Sequence, residues 1–523
     1  MKELPLGIQN IREIIEENKM YVDKTHFALK LIKTLKHYFI SRPRRFGKSL
    51  FLNTLEEIFK GNRTLFKGLA IDQSDYDWQE YPVLTFDFTK MTTAKPESLI
   101  SGIEDAIEDL SKLYGMTITG SSYASKLNRL ITALSSLNKV VVLVDEYDSA
   151  IIDNLKNIEV AEENRDILKV FFATLKGLDR YIKFTFITGV TKFSQVSLFS
   201  GPNHLTDITM DPKYAAMLGY TEEEVKSNFK EYIQEIAQKK NQSENDVMEE
   251  IRTWYNGYRF SEDELSVYNP FSALNFMKNK KPKAYWYSSG TPSFLMNELK
   301  KHSEMVSLDG TMVSEEQLMD ISQLDQIDLA PLMYQAGYFT IKKYHPVSNL
   351  YELGLPNEEV RQAFFNSLLR NFAPIKTLKS SEESIKALEK QEPGFLFQHI
   401  QVGFASFAYQ VFAEAKESTY QGMLLAMLYG MGFAPLSERP THTGRIDVVL
   451  EVSNTTYIIE LKLDGSAEAA LKQIHDKKYF NPYLQKEKQI VLIGANFSSK
   501  ERNISDWKGE VLSPSGQKIK DLF

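Results

Sequence analysis

The sequence predicts an α/β protein with two separate sheets, and three stretches carry that reading. The first is His37-Tyr38-Phe39-Ile40, a strand-like run followed by a turn ending in Gly47-Lys48-Ser49. A helix over 50–59 follows it, with Phe51, Leu55 and Ile58 on one face. The second is Val140-Val141-Val142-Leu143-Val144, an unbroken apolar run that suits a parallel strand buried on both faces. The third lies far downstream, where strand-like segments 444–452 and 456–463 flank the turn residues Ser453-Asn454-Thr455 and read as a hairpin.

A tight turn between a strand and a helix, ending in Gly-Lys-Ser, has the geometry of a phosphate-binding loop. Backbone N–H groups and the helix N-terminus attract phosphate, Lys48 reaches the β/γ oxygens, and Ser49 can ligate Mg²⁺. The residues expected around such a nucleotide are Arg44, Arg45, Phe46, Gly47, Lys48, Ser49 and Leu50. One departure from the loop formula stands out: Arg42 occupies the place of its first Gly, where a side chain bears on close backbone approach. Gly-Lys-Ser by itself is a common accident, so the reading needs partners elsewhere in the chain.

Bulk properties bound the classes. At 523 residues the chain is too long for one core, and about two to four domains are expected. Its 43% hydrophobic and 25% charged residues are those of an ordinary soluble globular protein. A net charge of −7 argues against a generally basic, nucleic-acid-coating protein, while leaving room for a local basic groove. The absence of cysteine removes disulfides, thiol catalysis and cysteine metal sites. The eight His form no HExxH-like pattern. Neither a signal-peptide run nor a membrane-length apolar window is present, so no membrane partner and a cytoplasmic location are the expectation.

Taken in order, residues 1–36 read as a helical lead-in, interrupted at Tyr21-Val22-Asp23-Lys24-Thr25. Residues 81–88 read as a strand, and 100–113 and 123–137 as helices. Asp145 and Glu146 emerge from the end of the 140–144 strand, where ligands bind in open parallel sheets. There Asp145 can hold the Mg²⁺ water shell beside Ser49, and Glu146 can polarise the water that attacks a γ-phosphate. A further strand over 182–190 ends in small polar residues, and Thr188 or Thr191 can sense the γ-phosphate or position water.

Three segments together resemble the AAA-ATPase-like family of bacterial proteins: Arg42-Pro43-Arg44-Arg45-Phe46-Gly47-Lys48-Ser49, Val144-Asp145-Glu146-Tyr147-Asp148 and Ile187-Thr188-Gly189-Val190-Thr191-Lys192-Phe193-Ser194. The likeness continues through Leu218-Gly219-Tyr220-Thr221, Trp254-Tyr255-Asn256-Gly257-Tyr258-Arg259-Phe260 and Tyr268-Asn269-Pro270-Phe271, and so covers most of residues 1–290. Several members of that family also carry a non-Gly residue where Arg42 stands, and members are often joined to a C-terminal PD-(D/E)XK nuclease-like domain. The resemblance implies a P-loop NTPase parallel sheet of the additional-strand class over 1–205, with a helical lid over 206–316. In the lid, Arg259 has two readings: a γ-phosphate contact, or a structural ion pair or stack on Tyr258 or Trp254.

Helix, hairpin and helix over 317–372 suit a winged-helix module, in which Lys342 and Lys343 either touch a nucleic-acid backbone or form a solvated edge. Residues 373–393 are charged and read as a linker, leaving 394–523 as the last domain. That domain opens on a long apolar-periodic helical region, 405–430, which carries Glu414 and Glu417. Pairing across the 453–455 turn brings Asp447 close to Glu460, and Lys462, two residues further on, faces the same side as Glu460. Two carboxylates that hold Mg²⁺, beside a lysine that orients water, are what a metal-dependent phosphodiesterase needs. With the Gly444-Arg445 lead-in, the helix over 468–479 and a closing strand over 490–494, this stretch resembles the PD-(D/E)XK, restriction-endonuclease-like α/β core. The resemblance implies Asp447, Glu460 and Lys462 as the central motif, Gln473 as a supporting helix residue and Glu417 as the first-helix acid. Tyr479 is similarly placed and is read as core packing.

The leading expectation is therefore an ATP-hydrolysing module coupled to a Mg²⁺-dependent nuclease-like domain acting on nucleic acid. The alternatives are a nucleotide-responsive binding or scaffold protein with an inactive nuclease fold, and a structural C-terminal module in which the carboxylate pattern is accidental. An arginine supplied by a neighbouring chain would require an oligomer.

Overall fold

The computed structural model of this chain describes residues 1–193, 205–286, 309–319, 321, 324, 328–372, 381–406, 416–433, 435–441, 444–484 and 488–523. These fall into two compact units, the first made of the described residues up to 286 and of Gly310–Val360, the second of Asp309 and Arg361–Phe523. Among the described residues no helix is long and apolar enough to cross a membrane.

The first unit is organised on β1 (His37–Ser41), β2 (Val83–Asp87), β3 (Val140–Asp145), β4 (Ile182–Gly189) and β5 (Thr206–Asp207). They form one all-parallel sheet in the order β2-β3-β4-β1-β5. Every residue of β3 is buried, as its apolar run demands for a strand covered on both faces. β4 is the additional strand, inserted between β1 and β3, as expected for this class of P-loop sheet. The helix Lys48–Phe59 begins at the loop itself and buries Phe51, Leu55 and Ile58, with Phe51 and Phe59 packed on Phe186 and Phe184 of β4. The helices expected at 100–113 and 123–137 are Pro96–Leu113 and Tyr123–Leu134.

The helices Glu222–Asn228, Lys230–Lys240, Glu244–Tyr255 and Pro270–Asn279 share a core of their own, including Ile233, Ile251, Tyr255 and Phe276. Lys24, in the segment that interrupts the N-terminal helices, is held by Glu224 at 2.6 Å and the Ala216 carbonyl at 2.8 Å. Residues 329–336 form a helix ahead of the hairpin β7 (Thr340–His345) and β8 (Leu350–Gly354), and the helix Glu358–Phe372 follows. An unforeseen strand, β6 (Asp309–Ser314), pairs with β8 in the order β6-β8-β7; its Asp-Gly start gives no strand pattern. Of the expected lid, 287–308 lies outside the described residues, as does 194–204 of the loop after β4.

The second unit carries a mixed six-stranded sheet, with β9 (Leu436–Thr441), β10 (Gly444–Val452), β11 (Thr455–Leu463), β12 (Gln489–Ser498), β13 (Asn503–Leu512) and β14 (Lys518–Leu522) in the order β14-β13-β12-β11-β10-β9. β10 and β11 form the expected hairpin, with Val452 opposite Thr455 and Ser453 left-handed at φ 46 in the turn. β11 and β12 are parallel and joined by the helix Ala467–Asp476; the other neighbours are antiparallel. That helix crosses β12 at Gly494, where a Cβ would sit 2.2 Å from the Ala467 carbonyl, so only glycine admits the close packing. The expected 405–430 helical region contains the end of the helix Pro393–Ser406 and all of Glu417–Gly430; Glu414 lies outside the described residues. Within 373–393, residues 373–380 lie outside them as well, and Ser381–Glu389 is helical, with the Leu388 carbonyl accepting from the Tyr457 hydroxyl.

One buried acid ties the first unit together. Glu359 Oε1 accepts from the Ser272 hydroxyl at 2.9 Å and the Trp286 N–H at 2.8 Å, while its other oxygen has no partner. Burial pushes this carboxyl up to about 8. The folded chain thus keeps a proton that the unfolded chain releases near 4.5, and stability falls as pH rises through that window. Glu359→Gln is expected to flatten this slope, read as a melting temperature of the first unit that no longer declines between pH 5 and about 8.

Candidate functional site

β1 ends at Ser41, and the Arg42 N–H continues its ladder onto the Gly189 carbonyl at 3.1 Å. The Arg42 side chain is 1% exposed and lies outside the neighbouring cavity. Its Nη1 donates to the carbonyls of Ser41 at 2.9 Å and Thr209 at 2.7 Å, and the guanidinium lies over the Phe260 ring at 4.1 Å. Desolvation pulls its pKa down to about 10. The missing loop glycine is therefore accommodated by a side chain that leaves the site. Arg45 at φ 70 and Gly47 at φ 91 supply the left-handed turns that aim the loop at the helix start.

Lys48 is 3% exposed, and its Nζ donates to the carbonyls of Arg42 at 3.0 Å and Pro43 at 3.2 Å, with Glu146 Oε1 at 3.7 Å. Burial raises the Asp145 carboxyl, while hydrogen bonds from Ser49 and Thr188 and the Lys48 charge oppose that shift. Thr188 Oγ1 donates to Asp145 Oδ1 at 2.5 Å and accepts the Glu146 N–H at 3.2 Å. Glu146 itself is left-handed at φ 45, held by that bond and by the Tyr147 N–H on the Thr188 carbonyl at 3.1 Å. Thr188 thus orients both acids from the neighbouring strand. The alternative threonine, Thr191, is committed to Asp148, which accepts its N–H at 2.6 Å and its hydroxyl at 2.7 Å. Burial pushes Asp148 up to about 6.

These groups border a cavity of about 500 Å³. Arg44, Arg45, Gly47, Lys48, Ser49, Leu50, Asp145 and Glu146 line it, with Asp87, Thr89 and Asp153 beside them. Its apolar wall comes from Pro5, Ile8, Tyr220, Pro270 and Phe271. Charged and apolar side chains thus line one cavity. Two of the expected ligand residues do not line it: Thr188 lies behind the acids, and Phe46 is buried edge-on against Tyr258 and Phe260. Of the two readings of Arg259, its bonds match the structural one. Its guanidinium donates to the carbonyls of Ser261, Glu262 and Lys342 and its N–H to Thr340 Oγ1, so its role is structural, bracing the hairpin. The N-terminal segment and Asp153 were missed because no local pattern marks a residue that reaches a site only through folding.

In the second unit, the antiparallel register places Asp447 opposite Glu460, one step beyond the Val448–Ile459 pair. Asp447 Oδ2 accepts the Leu461 N–H at 2.8 Å. Glu460 is 2% exposed; its Oε1 accepts from Gln473 Nε2, with Lys462 Nζ at 3.6 Å, and its Oε2 has no hydrogen-bond partner. Burial, then the Asp447 charge, raises the Glu460 carboxyl well above its ordinary value, with Lys462 opposing. A buried carboxylate oxygen without a donor, next to a second acid, is the environment a divalent cation relieves, so these residues fit one. Glu417 Oε2 instead accepts the Leu463 N–H at 3.0 Å, and among the described residues no three acids or imidazoles converge on one point. Tyr479 does more than pack: its hydroxyl bonds Gln473 and lies over Gly444, where a Cβ would come within 2.7 Å of it.

A parallel sheet with an additional strand, followed by a mixed sheet bearing this carboxylate pair, defines a P-loop ATPase-like module joined to a nuclease-like α/β module. Residues 5–199 match the family described as "Predicted AAA-ATPase", and residues 415–507 match the "PD-(D/E)XK nuclease superfamily". A relative from Azotobacter chroococcum mcd 1, "Uncharacterized protein in vnfD 5'region", is 34% identical over 517 residues, 96% of this chain and 98% of its own. The chain belongs to the same family as that protein, an AAA-ATPase-like family with a C-terminal PD-(D/E)XK domain.

Thr188→Val keeps the shape of the strand end and removes both of its hydroxyl bonds. It is expected to cost about 1–3 kcal/mol, seen as a lower melting temperature of the first unit, because Asp145 and the Glu146 N–H lose buried partners.

Proposed function

We propose that this chain is an ATPase whose second unit is a Mg²⁺-dependent nuclease acting on nucleic acid, with nucleotide state controlling cleavage. The observation that carries the first half is the convergence of Lys48, Ser49, Asp145 and Glu146 on one cavity that apolar residues also line. The second half is supported by Glu460, buried with a donor-free oxygen between Asp447 and Lys462. In this reading residues 1–205 are the ATPase core, 206–316 a helical lid, 317–372 a winged-helix module, 373–393 a linker and 394–523 the nuclease-like domain.

With ATP present, Lys48 exchanges the Arg42 and Pro43 carbonyls for the terminal phosphate oxygens, which also frees Glu146 from its charge. Glu146 then accepts the proton of the attacking water. In the second unit, Lys462 orients water beside the scissile phosphate, and Gln473 keeps the Glu460 carboxylate in place. Ser49 with Asp145, and Asp447 with Glu460, would hold Mg²⁺, which when bound supplies charge neutralisation at the phosphates and an acidified water.

A specific observation favours a second reading, a nucleotide-responsive scaffold with an inactive nuclease fold. The first-helix acid Glu417 is engaged by the Leu463 N–H and does not join the other two carboxylates.

Cleavage of single- and double-stranded DNA and RNA, with Mg²⁺ or Mn²⁺ and with or without ATP, separates the two. Asp447→Ala and Lys462→Ala are expected to lower cleavage at least ~100-fold, and an ATP-independent rate would remove the control step. No cleavage of any substrate by the wild type selects the scaffold. For the first unit, Lys48→Ala is expected to abolish ATP binding, whereas Glu146→Gln keeps binding and loses turnover; variants matching the wild type in both would sink the ATPase.

A further inference from the structure

Transfer of a terminal phosphoryl group develops charge on oxygens that an arginine stabilises, supplied either by the same chain or by a neighbour. Two arginines near the loop are already engaged elsewhere. Arg259 is held by three backbone carbonyls, and Arg42 is buried on the Thr209 carbonyl and the Phe260 ring. The cavity itself is lined by Arg44 and Arg45.

These two have different neighbours. The Arg45 guanidinium lies 5.2 Å from the Phe271 ring, on the apolar side. Arg44 Nη2 lies 3.9 Å from Asp153 Oδ1, a separation too long for a hydrogen bond. Asp153 feels the charges of both Arg44 and Glu146, and Glu146 stands 3.7 Å from the Lys48 ammonium. Arg44 thus stands beside Asp153 and Glu146 beside Lys48, and all four line the same cavity. The Arg44 side chain is about one-third exposed and only loosely paired, so it can exchange Asp153 for phosphate. Its backbone is anchored, because the buried Trp286 donates its indole N–H to the Arg44 carbonyl at 3.1 Å.

We propose that Arg44 is the catalytic arginine of ATP hydrolysis and that it acts on ATP bound to its own chain; this rests on the ATPase reading above. In the step it serves, a bond forms between the water oxygen and the γ-phosphorus. The bond from that phosphorus to the bridging oxygen breaks, its electron pair leaves with ADP, and the water proton passes to Glu146. Arg44 donates N–H groups to the oxygens of the transferring group and stays protonated throughout. A lysine there keeps the charge but loses the planar fork.

Full-length wild type, Arg44→Ala, Arg44→Lys and Lys48→Ala are compared for ATP binding by equilibrium dialysis and for phosphate release over a wide range of protein concentration. Arg44→Ala is expected to lose about 10³-fold or more in kcat while its Kd for ATP changes only a few-fold. Arg44→Lys should regain part of the rate, and retained binding shows that both variants are folded. Wild-type activity per chain is expected to stay constant with concentration, and an equimolar mixture of Arg44→Ala and Lys48→Ala to remain as inactive as its parts. Recovery of activity in that mixture overturns action within one chain. A kcat within a few-fold of wild type in Arg44→Ala, or loss of binding alone in both Arg44 variants, overturns the catalytic role. A wild type that binds ATP without hydrolysing it overturns Arg44 and leaves nucleotide binding standing, whereas a wild type that binds none overturns the ATPase reading itself.

Discussion

Three parallel strands that end at one level hold the first site together. The ladder pairs Ile40 of β1 with Thr188 of β4, and Val144 of β3 with Ile187 of β4, so the loop, the threonine and the two acids emerge side by side. Because β4 lies between the other two, a single hydroxyl can donate to Asp145 and accept from the Glu146 backbone. Burying the two acids alone is costly, and Thr188 gives each a partner from the neighbouring strand. Gly189, the last residue of β4, belongs to the same constraint. A Cβ there would lie 2.7 Å from the Tyr147 ring and 2.9 Å from Asp148 Oδ1, so the clamp that Tyr147 and Asp148 place on the strand end requires glycine.

The phosphate loop stands closed on itself, with the Lys48 ammonium on two loop carbonyls and near Glu146. A polyphosphate competes for an amine that already has partners, so binding is an exchange of hydrogen bonds. The second unit presents the opposite condition. There a buried acid, Glu460, is short of partners and is pressed by Asp447, and a cation offers what the protein itself does not. The first site is arranged around a buried ammonium, and the second around a buried carboxyl with one oxygen left without a donor.

Strands were legible where burial on both faces forces an uninterrupted apolar run, as in β3, and where a short polar turn separates two strand-like segments, as in β10 and β11. β13 was not legible, because its buried stretch is interrupted by charged residues and its pairing with β12 shifts register between Asn496 and Phe497. Among site residues, Lys48, Ser49, Asp145 and Glu146 could be named because each follows a strand or opens a helix within a few residues of a recognisable turn. Thr188 was found at the right strand end, yet its partners could not be named without knowing which strands are neighbours. Arg259 stood in a conspicuous motif, and the motif turns out to brace the hairpin through backbone carbonyls.

The sequence by itself determined the local geometry of this protein: a strand-turn-helix that can cradle phosphate, an apolar strand ending in two acids, and a hairpin that sets Asp447 opposite Glu460. Those follow from periodicity and turn chemistry, which act over a few residues. Only the tertiary structure decided that Arg42 leaves the site, that Arg44 comes to stand beside Asp153, and that Pro5, Ile8 and Phe271 line the same cavity as Lys48. These outcomes depend on which distant segments are packed together, and the direction in which a long arginine side chain turns is set by the carbonyls and rings that reach it.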